Sequence, residues 1–173
     1  MPPPLLEQLD YRQTTPGLAR TSIMRILAGS GLTPFNRNVA EPIDLLTSRL
    51  SSRRTTLTTI LTGLPVVFLT TTGARTGAMR TSPLVGIPTE GSLGLIGSNF
   101  GHSRQPGWVH NLLAQPRASI TYRDTTVDVV ARTADVDQQQ RIWSTAIQMY
   151  PGYAAYRERA GERTIHLFVA SSA

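Results

Sequence analysis

The stretch Leu69-Thr70-Thr71-Thr72-Gly73-Ala74-Arg75-Thr76-Gly77-Ala78-Met79-Arg80-Thr81-Ser82-Pro83-Leu84 places glycines, hydroxyls and two guanidinium groups in a turn between apolar flanks. Such a turn suits an anion. Glycine lets backbone N–H groups come close, and arginine offers a planar, permanently charged fork that matches phosphate and carboxylate. It is not a Walker A loop, which needs Gly-Lys-Ser/Thr opening a helix, nor a Rossmann fingerprint, which needs three glycines opening one. The alternative is an ordinary polar hairpin turn.

The next segment, Gly97-Ser98-Asn99-Phe100-Gly101-His102-Ser103-Arg104-Gln105-Pro106-Gly107-Trp108-Val109-His110-Asn111-Leu112, reads as a loop leading into a helix. Trp108 and Asn111 are three apart and share a helix face. An indole and an amide there can hold a flat, polar ligand, or can serve as a core anchor and a cap. Further on, Tyr150, Tyr153 and Tyr156 recur every third residue. In a helical turn they make an aromatic wall with phenol tips, suited to a planar organic ligand and to proton donation. The alternative is one face packed into the core.

Other chemistries fail on inventory. There is no cysteine, so no thiol catalysis, disulfide or thiolate metal site, and the three histidines, His102, His110 and His166, are scattered. No metal is expected. Gly97-Ser98-Asn99-Phe100-Gly101 lacks the spacing of a nucleophile elbow.

The elements that must position these residues follow from pattern. Strands are expected over 66–71, 81–88, 93–98, 119–123, 126–133 and 164–170, with turns at 72–78, at 89–92 and at Asp124-Thr125. Helices are expected over 106–114 and 135–149, where Ile142, Ala146 and Met149 share a face. Six short, mostly antiparallel strands with helices between them give an α+β barrel. Residues 1–63 read as a separate N-terminal extension. It holds an amphipathic piece over 18–27 and a second helix from Glu41-Pro42 to about Arg49, with a doubtful continuation to Leu61. Residues 64–173 form the barrel domain.

At 173 residues the chain suits one domain. The net charge of +6 is carried entirely by arginine on the basic side. Residues 1–64 hold seven Arg against four acids, 65–117 hold four against one, and 118–173 balance at six and six. The excess points to an anionic partner: a phosphorylated cofactor, an acidic membrane surface or nucleic acid. Nucleic acid is disfavoured because the aromatics cluster where charge is balanced. No apolar run is long enough to span a membrane and the first residues lack secretory-signal character, so a cytoplasmic location is expected.

Taken together and in this order, three pieces resemble the deazaflavin (F-420)-dependent nitroreductase family of actinobacteria, oxidoreductases of the split β-barrel flavin-binding type. They are Leu69 to Gly73 with Arg75-Thr76-Gly77 and Arg80; Ser98-Asn99 with Pro106 to Leu112 and Ala114-Gln115-Pro116; and Met149 to Tyr156. The resemblance covers about residues 64–170. It implies that Arg75, Thr76, Gly77 and Arg80 hold the phosphate and acidic tail of coenzyme F-420. Asn99, Trp108 and Asn111 would line the same groove, and the deazaflavin ring would lie along Pro83, Leu84 and Ser98. Tyr150, Tyr153 and Tyr156, with Val85 and Phe100, would form the pocket for a quinone, nitro compound or enone. Tyr153, Ser98 or Tyr150 would supply the proton. Three positions depart from the family pattern: Arg75 replaces a frequent Lys, Phe100 a usual Gly, and Val85 an aromatic of the pocket. The same barrel also admits two other readings, an FMN or haem carrier and a non-enzymatic lipid or quinone binder. Membrane contact through residues 1–40 and a homodimer are compatible with each.

Overall fold

Alternation of inward and outward residues on seven antiparallel strands builds the molecule. The structure, a computed structural model, describes residues 3–12 and 64–173. A short helix α1 (Leu5–Gln8) precedes β1 (Val66–Thr72), β2 (Met79–Val85), β3 (Ile87–Thr89) and β4 (Ser92–Ile96). After a 3-10 turn (Asn99–Gly101) come α2 (Gly107–Ala114), β5 (Arg117–Tyr122), β6 (Thr125–Thr133), α3 (Val136–Met149), α4 (Gly152–Ala160) and β7 (Leu167–Ser172).

The strands lie in the order β2-β1-β5-β6-β7-β4-β3. The two end strands, β2 and β3, are joined through Gly86 alone. One sheet whose opposite edges are one residue apart in the chain has to curl until those edges meet, which makes a split barrel. The expected 81–88 strand is therefore two, and the count is seven rather than six. Gly86 is the joint because a Cβ there would crowd Leu93, Val67 and the Tyr11 hydroxyl at 3.1–3.3 Å.

Two apolar clusters follow from the alternation. Val67, Leu69, Leu95, Ile120, Val129 and Phe168 point into the barrel, where Trp108, Val109 and Leu112 of α2 join them. On the outer face Ile87, Ile96 and Leu167 meet Ile142, Ala146 and Met149 of α3 together with the three tyrosines. Helix α3 lies close on β4 because Gly94 leaves room; a Cβ there would stand 2.8 Å from Ile142 Cγ1. Its start is set by a capping box: Asp135 accepts the Gln138 N–H at 2.8 Å, and the Gln138 side chain accepts the Asp135 N–H at 3.0 Å.

Helix α1 belongs to the barrel as well. Leu5 and Leu9, each 1% exposed, are part of the interior cluster. The Leu6 N–H donates to the Gly91 carbonyl, and the Gln8 amide to Ser172 Oγ. Tyr11 stacks on Tyr122 at 5.0 Å and donates its hydroxyl to the Gly86 carbonyl at 2.6 Å. The Pro-rich sequence around Leu5 gave no signal of this. The helices expected over 18–27 and from residue 41 lie outside the described residues.

Smaller corrections have local causes. The two-residue turn between β5 and β6 is Arg123-Asp124, with Tyr122 opposite Thr125 and Arg123 at φ 52°, one position before the expected turn. Strand β4 ends at Ile96 because the Gly97 N–H turns to the His166 carbonyl. Strand β7 starts at Leu167 rather than at Thr164.

Candidate functional site

Strand β2 is the frame of the site. Within the described residues it bonds only to β1, so its outer edge carries unpaired backbone groups, as an edge strand does. Pro83 is tolerated there for the same reason. Exposure falls along its length: Arg80 and Thr81 are exposed, Ser82, Pro83, Leu84 and Val85 half-buried, and Val85 packs on the outer-face apolar cluster that also holds the three tyrosines. From Arg80 to Val85 the strand spans roughly 17 Å at about 3.3 Å per residue. It is a ledge with a cation at one end and aromatics at the other.

The loop before it, Gly73 to Ala78, is closed by the Gly73 N–H on the Ala78 carbonyl at 2.8 Å. Its amides are mostly turned inward. Those of Thr76 and Gly77 donate to the Gly73 carbonyl, that of Ala78 to Thr76 Oγ1, and that of Ala74 to Asn111 Oδ1 at 3.0 Å. The backbone anion cradle expected from the glycines is therefore largely spent on the turn itself, and the guanidinium groups carry the attraction. Arg75 and Arg80 are exposed and make no ion pair among the described residues. Gly77, at φ +68°, has open space where a Cβ would be.

Asn111 is buried beneath this loop. Its Nδ2 donates to Thr71 Oγ1 at 2.9 Å while Oδ1 takes the Ala74 N–H, so one amide fixes the hairpin to α2. Trp108, 5% exposed, packs in the barrel core against Phe168 at 5.8 Å. Trp108 thus packs as a core anchor does, and Asn111 clamps the hairpin rather than capping the helix.

Ser98, 8% exposed, opens a turn in which Asn99, Phe100 and Gly101 all take left-handed φ (45°, 55° and 80°). Two such non-glycine residues in succession store strain that the surroundings must hold. Asn99 Nδ2 caps the loop on the Arg104 carbonyl at 2.8 Å. Gly101 presses on α4, where a Cβ would stand 2.7 Å from Arg159 Cβ. Phe100 meets Tyr156 edge to face at 5.8 Å.

Tyr150, Tyr153 and Tyr156 come together as expected, at the junction of α3 and α4, with ring centres 5.7–6.1 Å apart. All three are buried, so their wall is closed upon itself and against Trp143 and Phe100. Burial, reinforced by Tyr150, pushes the hydroxyls of Tyr153 and Tyr156 well above the ordinary phenol range. They are proton donors and hydrogen-bond partners, not phenolates. Tyr11, raised by burial and then by Tyr122 and Tyr153, is a fourth phenol near this cluster that the sequence did not flag. A cavity of about 470 Å3 between β6, β7 and the start of α3 contains none of these residues. Among the described residues no three His, Cys, Asp or Glu side chains converge.

A loop with two exposed arginines, an edge strand and a buried wall of three tyrosines, set on a split barrel, are features compatible with the flavin- and deazaflavin-binding oxidoreductase class. A family model described as F-420H(2)-dependent quinone reductase matches residues 45–172. The chain belongs to that family and is an enzyme, a reductase that uses the reduced deazaflavin coenzyme F-420. Among solved structures it is similar to an F-420-H2 dependent reductase (FDR-A), at 32% identity and TM-score 0.56, over 61% of this chain and 93% of that one. A second, described as a domain-swapped dimer, matches at 30% identity and TM-score 0.58, over 73% and 94%. The haem storage protein HutZ of Vibrio cholerae shares 12% identity at TM-score 0.50 over 76% and 90%, a likeness of fold alone.

The residues present fit the coenzyme. Two guanidinium groups with no ion pair among the described residues could meet its negatively charged tail, and the half-buried edge of β2 has amides and carbonyls that a flat polar ring could use.

Proposed function

We propose that the enzyme holds coenzyme F-420 along β2, with the phosphate and acidic tail on Arg75, Thr76 and Arg80 and the ring by Pro83, Leu84 and Ser98, and reduces a quinone beside the tyrosines. The observation that carries this is the gradient along β2, from exposed arginine to half-buried proline and leucine to the aromatic cluster. The coenzyme supplies a hydride, and has little one-electron chemistry.

The protein's own part is binding, orientation and protonation. Asn111 sets the height of the Arg75 loop, and Trp108 supports α2 from below. Thr76 keeps its hydroxyl proton for a ligand because its oxygen already accepts the Ala78 N–H. Val85, Phe100 and the tyrosines present apolar surface that excludes water and stacks a planar acceptor. Tyr153, Tyr150 or Ser98 donates the proton that matches the transferred hydride. Entry of an acceptor among buried phenols requires one of them to turn outward. The family's description as quinone reductases favours a quinone, and a quinone needs no more than this set.

The test is oxidation of the reduced coenzyme, followed by its absorbance, against a panel of quinones, nitroaromatics and enones. Faster turnover with quinones is expected. Nitroaromatic or enone turnover with quinones inert would move the acceptor class. We also read the enzyme as cytoplasmic and homodimeric. Any membrane-contacting segment would start after Arg12, since residues 3–12 are folded into the barrel; liposome flotation tests that.

A further inference from the structure

Arg163 lies outside every feature described so far, in the turn after α4, where its own N–H donates to the Ala160 carbonyl. Its guanidinium reaches back across the molecule. Nη1 donates to the Gly97 carbonyl at 3.0 Å and to Gln105 Oε1 at 2.9 Å, and Nη2 donates to the Ser98 carbonyl at 2.5 Å. Gln105 completes the pairing by donating Nε2 to the Thr164 carbonyl at 2.5 Å. The start of the strained Ser98–Gly101 turn, and Gln105 four residues beyond its end, are thus tied to residues 163 and 164. Nε of Arg163 is buried with no partner, so the side chain carries a desolvation cost without a compensating bond at that atom.

We propose that Arg163 is a positioning residue for the reduction. It holds Ser98 and the left-handed turn against α4, so that the group beside the ring keeps a fixed distance from Tyr153 and Tyr156. This rests on the reading that places the ring at Ser98. The fork accounts for the choice of arginine: three acceptors lie on one planar group, which the point charge of lysine cannot reproduce. On that same reading, coenzyme affinity comes mainly from the tail at Arg75 and Arg80, on the β1–β2 loop and the start of β2, away from this turn. Loss of the clamp therefore acts on orientation rather than on binding.

The experiment measures coenzyme Kd by fluorescence titration and kcat with a quinone for Arg163→Lys, Gln105→Leu and Ser98→Ala. Thermal melts confirm that each variant is folded. Arg163→Lys should lower kcat roughly ten- to hundredfold with Kd changed less than about twofold, in line with the cost of small misplacement. Gln105→Leu, at a half-exposed side chain, should give the same split to a smaller degree and covers the case in which the arginine variant does not fold. An unchanged kcat in a folded Arg163→Lys, or equal losses in Kd and kcat, would overturn the proposal. Ser98→Ala separates the clamp from its premise. If it lowers kcat while the clamp variants do not, only the clamp fails. If it is silent while Arg163→Lys still loses kcat alone, the clamp stands and the proton donor is not Ser98. If all three are silent, the ring does not lie on this loop.

Discussion

The tyrosine cluster concentrates the chemistry of single residues. Tyr153 touches Tyr150, Tyr156 and Trp143, and its phenol is held neutral by burial. Replacing Tyr153 with Phe keeps the packing and removes the proton. Turnover should fall about a hundredfold or more, the lower end of a general acid's usual contribution, with coenzyme affinity unchanged. Steady-state rates beside a fluorescence titration check this. The same burial has a consequence for stability. Below about pH 10 the phenols of Tyr11, Tyr153 and Tyr156 are protonated in both folded and unfolded chains, so their contribution is fully present. Above it the unfolded chain ionises first, the folded state binds more protons, and stability falls as pH rises. Urea unfolding between neutral pH and about pH 11 should show this decline. It should be shallower in Tyr153→Phe.

At the scale of elements, α3 is the support on which the cluster rests, and its start depends on one side chain. Asp135→Ala removes half of the capping box and should cost about 1 kcal/mol, read from a denaturant midpoint, with the kinetic constants unchanged at low temperature. Elements of this kind were legible in the sequence. The Asp135 start, the 3.6-residue spacing of Ile142, Ala146 and Met149, and the strand-length runs of β1, β5 and β6 between turn residues are local signals. What was not legible is what neighbours decide. Gly86 reads as one residue within a strand, and only the crowding of Leu93, Val67 and Tyr11 makes it the joint of the barrel. The glycines of the Arg75 loop promised free amides, but Asn111, far along the chain, takes one of them. Arg163 looked like one of six balanced charges until its fork was seen on the Gly97 and Ser98 carbonyls.

The described residues form a split barrel whose interior takes in Leu5 and Leu9 and whose edge strand β2 runs from an exposed arginine to the apolar cluster that holds the tyrosines. Leu5 and Leu9 fill barrel space that strands alone leave empty. Leu9→Ala should cost roughly 2–5 kcal/mol by the usual cost of a buried cavity, seen as a lower urea midpoint. The division at residue 63 therefore does not separate the core, since residues 3–12 contribute to it. The family, the fold and the coenzyme are set by the whole pattern, and the seat proposed for that coenzyme rests on the charge of β2 and its loop. The most direct test of that seat is the affinity of coenzyme F-420 for the intact protein and for Arg80→Ala, measured by fluorescence at two salt concentrations. Loss of one charge-assisted contact, about 1.5–3 kcal/mol, predicts binding weakened tenfold or more and less sensitive to salt in the variant. Equal affinity in both proteins at both salt concentrations would contradict it.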